Sequence, residues 1–467
     1  MPDILITNAA IVTVNPKREI LREGAIAISG DTITDIGPSA VLEKKYRDTP
    51  KRIDGTGKAV FPGLINTHNH LFQTMLKGLG DDKVLADWCR EMIFPSAVFL
   101  TEEACYYGAM LGCLEGLHSG TTTMLDYHYP HPARGQDDAI IKCFRELKLR
   151  AIFGRGYMDT GARVGVREAI MEDAETIEKD VRRLIAAYHN ADNGRIRIWL
   201  APAAMWSCSR ECLTMTKRLM DEYGTGVTIH ISETPFDREA SADLHGAPDI
   251  DVCREFGLLG PRLLMVHCVH LTPRDIRMAK CLDLKVSHNP VSNMYLASGV
   301  PPIPALIEAG VSVGLATDGA GSNNTNDMLE AMKSAVLLQK VAHRDPTVLT
   351  AEKALEMATI DGARCIGMED SIGSLEVGKK GDLFIFNPFR SAKAVPMFHP
   401  VSTLVYSSSE ANVETVILDG RIVLEDGLVT VADEPAILRR ANEAAENLSR
   451  RAGTGHLRDR PWRSLAY

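Results

Sequence analysis

Residues 59–70 read AVFPGLINTHNH, and this stretch decides the fold. An apolar run, typical of a buried strand, leads directly into His68-Asn69-His70. Because side chains alternate along a strand, both imidazoles face the same way and can share one metal ion. Taken alone, the pair leaves two interpretations open, a metal-dependent hydrolase or a chance pairing among the 14 histidines of the chain.

Strands and helices alternate in the sequence that follows. Helical stretches such as residues 104–119 and 211–224 separate most of the candidate strands. These strands are residues 63–69, 121–127, 150–156, 195–203, 226–232, 263–268, 284–289 and 311–318. Eight strands with intervening helices over roughly 310 residues predict an α/β fold of the (β/α)8 TIM-like barrel type.

The two ends of the chain have a different period. Residues 2–60 contain short strands of alternating apolar and polar residues with Gly and Asp turns. The same pattern occurs again at 381–388 and 413–431. We therefore predict a small β-sandwich built from both ends. The expected boundaries are 1–60 for its first part, 61–375 for the barrel, 376–435 for its second part, and 436–467 for a C-terminal helix and tail.

Bulk composition narrows the class of protein. The 467 residues carry a net charge of -9 without a Lys/Arg cluster, which argues against a nucleic-acid partner. The ten cysteines form no CxxC pair and lie mostly in apolar stretches, as expected of reduced thiols in a cytoplasmic protein. No signal peptide and no apolar run long enough to span a membrane is expected.

Polar residues fall where a barrel requires them. In such barrels the chemistry lies at the C-terminal ends of the strands. Beyond the first pair, the strand ends carry His230 with Glu233 three residues on, His267, His288 and Asp318. Histidine nitrogens and an Asp oxygen suit a borderline divalent ion such as zinc, so the whole set predicts a metal site.

The predicted site also has a chemical logic. Three histidines and one aspartate leave room for a water, whose pKa a metal lowers from about 15.7 toward about 7. A nearby carboxylate can then carry a proton from the water to a substrate. Glu233 follows the candidate ligand His230 by three residues and is not itself needed as a ligand. It is therefore the candidate for the carboxylate that carries the proton.

Five segments resemble the amidohydrolase superfamily. They are PGLINTHNH at 62–70, HISET at 230–234, VHC at 266–268, SHNPVSNMYLASG at 287–299 and TDGAGSNN at 317–324. They match the branch that holds S-adenosylhomocysteine/methylthioadenosine deaminases and the s-triazine hydrolases such as atrazine chlorohydrolase. The resemblance covers nearly the whole chain, and both residues 357–383 and the closing PWRSL at 461–465 look especially like the triazine enzymes.

The resemblance implies a role for each residue. The expected ligands of one metal ion, zinc with iron(II) as the alternative, are His68, His70, His230 and Asp318. Glu233 would protonate a ring nitrogen of the substrate, His267 would orient the attacking water, and Asp318 would also take its proton. Two-metal relatives use a modified Lys at the end of strand 4, which RIRIWLAPA lacks. The resemblance also implies a homo-oligomer.

Several residues are candidates for substrate binding. His288 is either a pocket residue or a strand-end histidine bonded to backbone, and Trp206 is either a stacking wall or core. The loop DYHYPHPARG at 126–135 offers Tyr127 and His128, with His131 and Arg134 beyond. This loop either sets specificity or is polar surface.

Two positions depart from the nucleoside deaminases of the branch. Ala97 and Ala203 stand where the resemblance places a ribose-binding Glu and a substrate-binding His. A lost hydrogen bond to a buried group costs about 1–3 kcal/mol. We therefore expect a hydrolytic aminohydrolase of a smaller ring, namely a purine or pterin base, a pyrimidine or an s-triazine. The alternatives are s-triazine dechlorination, S-adenosylhomocysteine, methylthioadenosine or adenosine deamination, and a non-catalytic barrel scaffold.

Overall fold

The computed structural model describes residues 1–462 and residue 464. The last part of the predicted C-terminal tail, residues 463 and 465–467, lies outside the described residues, and two of the five residues of the PWRSL segment are among them. No helix in the described part of the chain is long and apolar enough to cross a membrane.

Eight parallel strands form one sheet within the described residues, in sequential order around a barrel. They are β6 (Leu64–Asn69), β7 (Thr121–His128), β8 (Arg150–Tyr157), β9 (Ile196–Pro202), β10 (Val227–Ile231), β11 (Leu263–His267), β12 (Lys285–His288) and β13 (Ser312–Leu315). All neighbouring pairs are parallel, as expected when helices form the crossover connections. The predicted (β/α)8 barrel is confirmed.

Side chains close the barrel between its first and last strands. Thr67 Oγ1 donates to the carbonyl of Leu315 at 3.1 Å, and Asn66 Nδ2 donates to Thr317 Oγ1 at 2.7 Å. Beyond the last strand, the Asp318 amide donates to the carbonyl of His68 at 3.2 Å. The seam therefore joins the first histidine pair to Asp318 directly.

Both ends of the chain contribute to a second sheet. Its strands are β1 (Ile4–Val12), β2 (Ile20–Ser29), β3 (Thr32–Pro38), β4 (Lys51–Asp54), β5 (Ala59–Pro62), β14 (Leu383–Phe386), β15 (Val413–Leu418), β16 (Arg421–Glu425) and β17 (Leu428–Val429). Their order is β17-β16-β15-β14-β5-β1-β2-β3, with β4 beside β1. The predicted β-rich unit from both ends is confirmed, although its strands join into one mixed sheet. The domain boundaries stay a prediction.

A single glycine connects the two sheets. Gly63 separates β5 of the outer sheet from β6 of the barrel. A Cβ at this position would lie 2.1 Å from Thr122 Oγ1, so no larger residue fits without displacing the neighbouring strand. The decisive stretch 59–70 therefore belongs to both sheets.

A buried ion pair also links them. Arg150 begins β8 and is only 2% exposed. Its guanidinium donates to Asp382 at 2.8 and 3.3 Å and to Asp419 at 2.9 Å, both beside strands of the outer sheet. This contact fixes the outer sheet at the N-terminal end of the barrel strands.

Most of the helices lie between barrel strands in the chain, the first helix lies between two strands of the outer sheet, and the last two helices come after its last strand. The α-helical segments are α1 (Ser39–Lys45), α2 (Leu85–Trp88), α3 (Phe94–Ala97), α4 (Glu102–His118), α5 (Gln136–Glu146), α6 (Ala174–Tyr188), α7 (Ala191–Gly194), α8 (Arg210–Tyr223), α9 (Pro235–His245), α10 (Asp249–Glu255), α11 (Pro273–Cys281), α12 (Pro290–Tyr295), α13 (Ile303–Ala309), α14 (Met328–His343), α15 (Ala351–Met357), α16 (Ile360–Cys365), α17 (Pro400–Ser407), α18 (Glu434–Ala452) and α19 (Gly455–Arg458). Short 3-10 turns include Leu71–Leu76 and Met205–Ser207, and Cys89–Ile93 is a π-helical turn.

Candidate active site

The C-terminal ends of the barrel strands bring the predicted ligands together. His70 Nε2 lies 3.2 Å from His230 Nε2 and 3.4 Å from Asp318 Oδ1. His68 Nε2 lies 3.2 Å from the same Asp318 oxygen. All four side chains are buried or nearly so.

These separations fit a single small metal ion. Four ligands at about 2.0–2.1 Å from zinc in a tetrahedron lie roughly 3.3–3.4 Å apart. Both ring nitrogens of His68 are buried without a hydrogen-bond partner, which is costly unless something else binds them. The donor set, three imidazoles and one carboxylate, is that of a zinc-like site.

Backbone carbonyls orient two of the imidazoles. His70 Nδ1 contacts the carbonyl of Tyr127 at 2.6 Å, and His230 Nδ1 contacts that of Ala203 at 2.5 Å. Each contact requires the proton on Nδ1 and leaves the Nε2 lone pair free toward the centre. Burial lowers the pKa of His68 to about 4 and that of His70 and His230 to about 3, so all three are neutral, as metal ligands must be.

Asp318 is held by hydroxyl and amide donors. Ser292 donates to its Oδ2 at 2.6 Å, Ser322 donates to the same oxygen at 3.1 Å, and the Gly319 amide donates to Oδ1 at 2.7 Å. Burial alone raises the pKa of Asp318, but the neighbouring imidazoles of His68 and His267 outweigh burial and hold it well below its usual range. The carboxylate is therefore ionised.

Three strand ends adopt left-handed backbone conformations at non-glycine residues. Ser232 has φ +48°, His267 has φ +68° and Asp318 has φ +63°. Such positions cost of order 1–3 kcal/mol each and cluster at functional sites. They turn the chain sharply where β10 and β11 end and just beyond β13.

Glu233 and His267 face each other across the site. Their Oε2 and Nε2 atoms are 3.5 Å apart, and His267 Nε2 lies 3.9 Å from Asp318 Oδ2. Burial raises the pKa of Glu233 to about 7. Burial lowers the pKa of His267, but the carboxylates of Glu233 and Asp318 outweigh it, so its pKa is raised. Asn293 Oδ1 accepts from His267 Nδ1 at 2.9 Å and fixes the ring.

A pocket opens above these groups. Its apolar wall is formed by Leu85, Trp88, Phe94, Met158, Trp206 and Leu296. Glu233, Asp237, Asp318 and three histidines supply its ionisable groups, and no Lys or Arg is found among the described lining residues. Such a lining favours a flat, apolar ligand without a negative charge.

Comparison with known proteins identifies the family. The model described as "Amidohydrolase family" matches residues 59–423, from the last N-terminal strand of the outer sheet through the whole barrel. The chain belongs to the amidohydrolase family.

Relatives of this amidohydrolase are named as nucleoside deaminases. A 5'-deoxyadenosine deaminase of Methanothermobacter thermautotrophicus is 39% identical over 429 residues, covering 92% of this chain and 96% of the relative. A 5-methylthioadenosine/S-adenosylhomocysteine deaminase of Desulforudis audaxviator is 37% identical over 425 residues, covering 91% and 95%. The structure of a zinc-bound adenosine deaminase from Xanthomonas campestris superposes with a TM-score of 0.89 at 28% identity, covering 96% of this chain and 99% of that one.

Of the predicted substrate-binding residues, one lines the pocket of this amidohydrolase. Trp206 does so, and its Nε1 donates to Asp237 at 2.9 Å. Tyr127 lies beneath the site, with its ring stacked on that of His230 at 4.8 Å. His288 is fully buried, and neither of its ring nitrogens has a hydrogen-bond partner. Among the described residues, no hydrogen bond joins His288 to backbone, which was the alternative interpretation, and its contact with a substrate stays a prediction.

His128 ends β7 on the opposite side of the strand from Tyr127. Tyr127 points into the barrel, and successive strand side chains face opposite ways. His128 therefore faces outward, where its ring packs against Phe72 at 5.6 Å and His131 at 4.9 Å. The contact of His128 with a substrate stays a prediction.

The two alanines also differ in position. Ala203 forms part of the pocket wall, at the place where the resemblance puts a histidine. Ala97 ends α3, is fully buried and is not among the pocket-lining residues. Ala203 can therefore act on substrate choice through the pocket wall, whereas Ala97 does not reach the pocket.

Most of the pocket wall comes from residues that the sequence did not single out. Gln73 and Tyr129 line the pocket, and Gln73 Nε2 donates to Tyr129 Oη at 3.3 Å. Leu85 and Trp88 reach it from the segment after β6, which has no regular period that could have assigned them. Tyr129 lies in the loop 126–135, which the sequence already offered as a specificity loop, whereas Gln73, Leu85 and Trp88 had no signal beyond following the first histidine pair.

Proposed function

We propose that this amidohydrolase is a hydrolytic deaminase of a neutral, amino-substituted N-heteroaromatic ring. Water replaces the amino group on a ring carbon, and ammonia or a small amine leaves. The observation that carries the proposal is the position of Glu233, a buried carboxyl 3.5 Å from His267 beside the His/Asp set in an aromatic-lined pocket. A non-catalytic scaffold would need neither a raised carboxyl pKa nor unpartnered imidazoles.

The metal is expected to bind to His68, His70, His230 and Asp318. Zinc is our first choice, with iron(II) as the alternative, since imidazole and carboxylate ligands suit both. When bound, the ion supplies Lewis acidity that lowers the pKa of water to near neutrality.

The protein side chains move the protons. As a carboxylate, Glu233 accepts a proton from water and delivers it to the ring nitrogen next to the reacting carbon. His267 and Asp318 hold the water by hydrogen bonds on the other side. The second proton of the water, which Asp318 takes from the attacking oxygen, passes to the amino group. The new carbon–oxygen bond then replaces the carbon–nitrogen bond, and ammonia leaves. The rings of Trp206 and Phe94 exclude bulk water from this step.

The lining also limits the substrate. A substrate carboxylate or phosphate would be desolvated in the pocket without a Lys or Arg partner among the described lining residues. A neutral ring avoids this penalty. With Ala203 in the wall, a free base or s-triazine fits the polar groups better than a charged nucleoside derivative.

A second candidate is deamination of a neutral nucleoside. It is favoured by the 39% identity to a 5'-deoxyadenosine deaminase over nearly the whole chain. The chlorohydrolase alternative uses the same acid and pocket, with chloride as the leaving group.

A substrate panel tests these possibilities. The metal-loaded enzyme is incubated with guanine, a pterin, a cytosine-like base, a melamine-type triazine, atrazine, adenosine, 5'-deoxyadenosine and methylthioadenosine, and ammonia and chloride are measured separately. Ammonia from the bases or the triazine supports the proposal. Faster turnover of the nucleosides replaces it with the second candidate, and chloride release from atrazine alone replaces it with dechlorination. Glu233→Gln is the matched control for background release.

A further inference from the structure

A second cluster of ligand-type side chains lies outside the candidate active site. It joins the end of β7 to the start of α5 and consists of His128, His131 and Asp137. One ring nitrogen of each histidine and one carboxylate oxygen all lie within 4.8 Å of one another. His131 Nε2 is 2.8 Å from Asp137 Oδ1.

His128 has no other partner. It is fully buried, and neither ring nitrogen makes a hydrogen bond. Buried polar side chains are normally bonded, so an unpartnered imidazole beside two further ligands calls for a specific explanation. In the candidate active site, His68 shows the same signature.

The charge around the cluster also favours a cation. Arg155 is buried and donates to Glu172 at 2.8 and 2.9 Å and to Asp180 at 3.0 Å, and its Nε lies 3.8 Å from Asp137 Oδ2. One guanidinium thus faces three carboxylates. Arg183 pairs with Asp180 and also with Asp138. Its positive charge is offset by the additional carboxylate of Asp138, so the net charge of the cluster is unchanged. Two negative charges remain, which a divalent ion would neutralise.

From these observations, we propose that His128, His131 and Asp137 form a second binding site for a divalent transition metal of the zinc type, separate from the candidate active site. Two imidazoles and a carboxylate are borderline ligands that suit zinc, and a water completes the tetrahedron. His131 Nδ1 donates to the carbonyl of Tyr129 at 3.3 Å, which is the kind of outer partner that ligating histidines have, and Glu172 Oε2 lies 3.6 Å from the same nitrogen.

The site would have a structural role. It cross-links the loop 129–135 to the strand end on one side and to α5 on the other. Tyr129 in this loop lines the pocket, and its ring packs on that of His70 at 5.0 Å. Metal at the second site therefore stabilises one wall of the pocket without touching a substrate.

Metal counting tests the proposal. Apo-protein is reloaded with Zn²⁺, desalted and measured by elemental analysis, for the wild type, for His68→Ala/His70→Ala, and for His131→Ala/Asp137→Asn. We expect about two ions per chain in the wild type and about one in each double variant. Circular dichroism of each variant verifies the fold.

The His68→Ala/His70→Ala variant keeps every residue of the second site, so its count does not depend on whether the second-site variant folds. Reloaded with Co²⁺, it is expected to show the visible absorption of a tetrahedral ion. An empty His68→Ala/His70→Ala protein, or an unchanged count in His131→Ala/Asp137→Asn, overturns the proposal.

Discussion

Ser292 Oγ donates a 2.6 Å hydrogen bond to Asp318 Oδ2, and this bond leaves Oδ1 facing the imidazoles of His68 and His70. Ser292 belongs to α12, the helix after β12, so one strand-end segment orients the ligand carried by the next. We expect Ser292→Ala to lower metal affinity about 10- to 100-fold, because a ligand that loses its outer hydrogen bond is less well oriented. Competition with a chelator measures this. Ser402→Ala, in the first turn of α17, should leave affinity unchanged.

Glu233→Gln should retain the metal and lose activity. The amide is nearly isosteric with the carboxyl but can neither accept nor deliver the proton, and general acid–base catalysis is worth about 10²–10⁴-fold in rate. Metal content and kcat are measured on the same preparation. A variant with full metal and full kcat would remove Glu233 from the mechanism.

The pH profile should have an acidic limb governed by Glu233. Its pKa is raised to about 7 by burial, so the protonated form, which cannot accept a proton from water, dominates below that pH. We expect kcat/KM to fall about tenfold per pH unit below this pKa. The charge of a bound metal shifts the limb toward lower pH. Profiles of the zinc enzyme between pH 5 and 9 test the sign, and a rise in kcat/KM toward acid would contradict it.

Trp206 should act on substrate binding and not on the chemical step. Its Nε1 donates to Asp237, which fixes the indole against the pocket. Trp206→Phe keeps an aromatic wall but loses this bond, so we expect KM to rise about fivefold, equivalent to ~1 kcal/mol, with kcat little changed. Trp206→Leu, which removes the flat surface as well, should raise KM further. Equal KM values for the two variants would argue against stacking.

Arg150 should matter for stability and not for catalysis. Arg150→Ala leaves the buried carboxylate of Asp382 without its cation, which typically costs about 3–5 kcal/mol in the free energy of unfolding, whereas Asp419 keeps Arg195 at 3.5 Å. Arg145→Ala is the matched control, since its ion pair with Asp192 is largely solvent-exposed on the Arg145 side and is worth at most about 1 kcal/mol. Denaturant unfolding compares the two. An equal decrease in the free energy of unfolding of both variants would show that the Arg150 ion pair contributes no more to stability than an exposed ion pair.

The sequence was most informative where chemistry and periodicity coincide. The strand order and the assembly of His68, His70, His230 and Asp318 could be predicted, because a parallel barrel places every strand end on one rim. The orientation of His128 could also have been predicted from the strand alternation that was used for His68 and His70. Gln73, Leu85 and Trp88 could not, since an irregular segment reaches the pocket only through tertiary packing.

The single-residue connection at Gly63 has a consequence for how this chain can vary. Because β5 and β6 share one short covalent stretch, an insertion there would move the His68/His70 pair away from Asp318 across the barrel seam. The segments after β6 and β9 do not join two sheets in this way. Changes of length are therefore expected to accumulate at the mouth of the pocket, where they alter what is accepted, and not at the opposite end of the barrel, where they would dismantle the reaction centre.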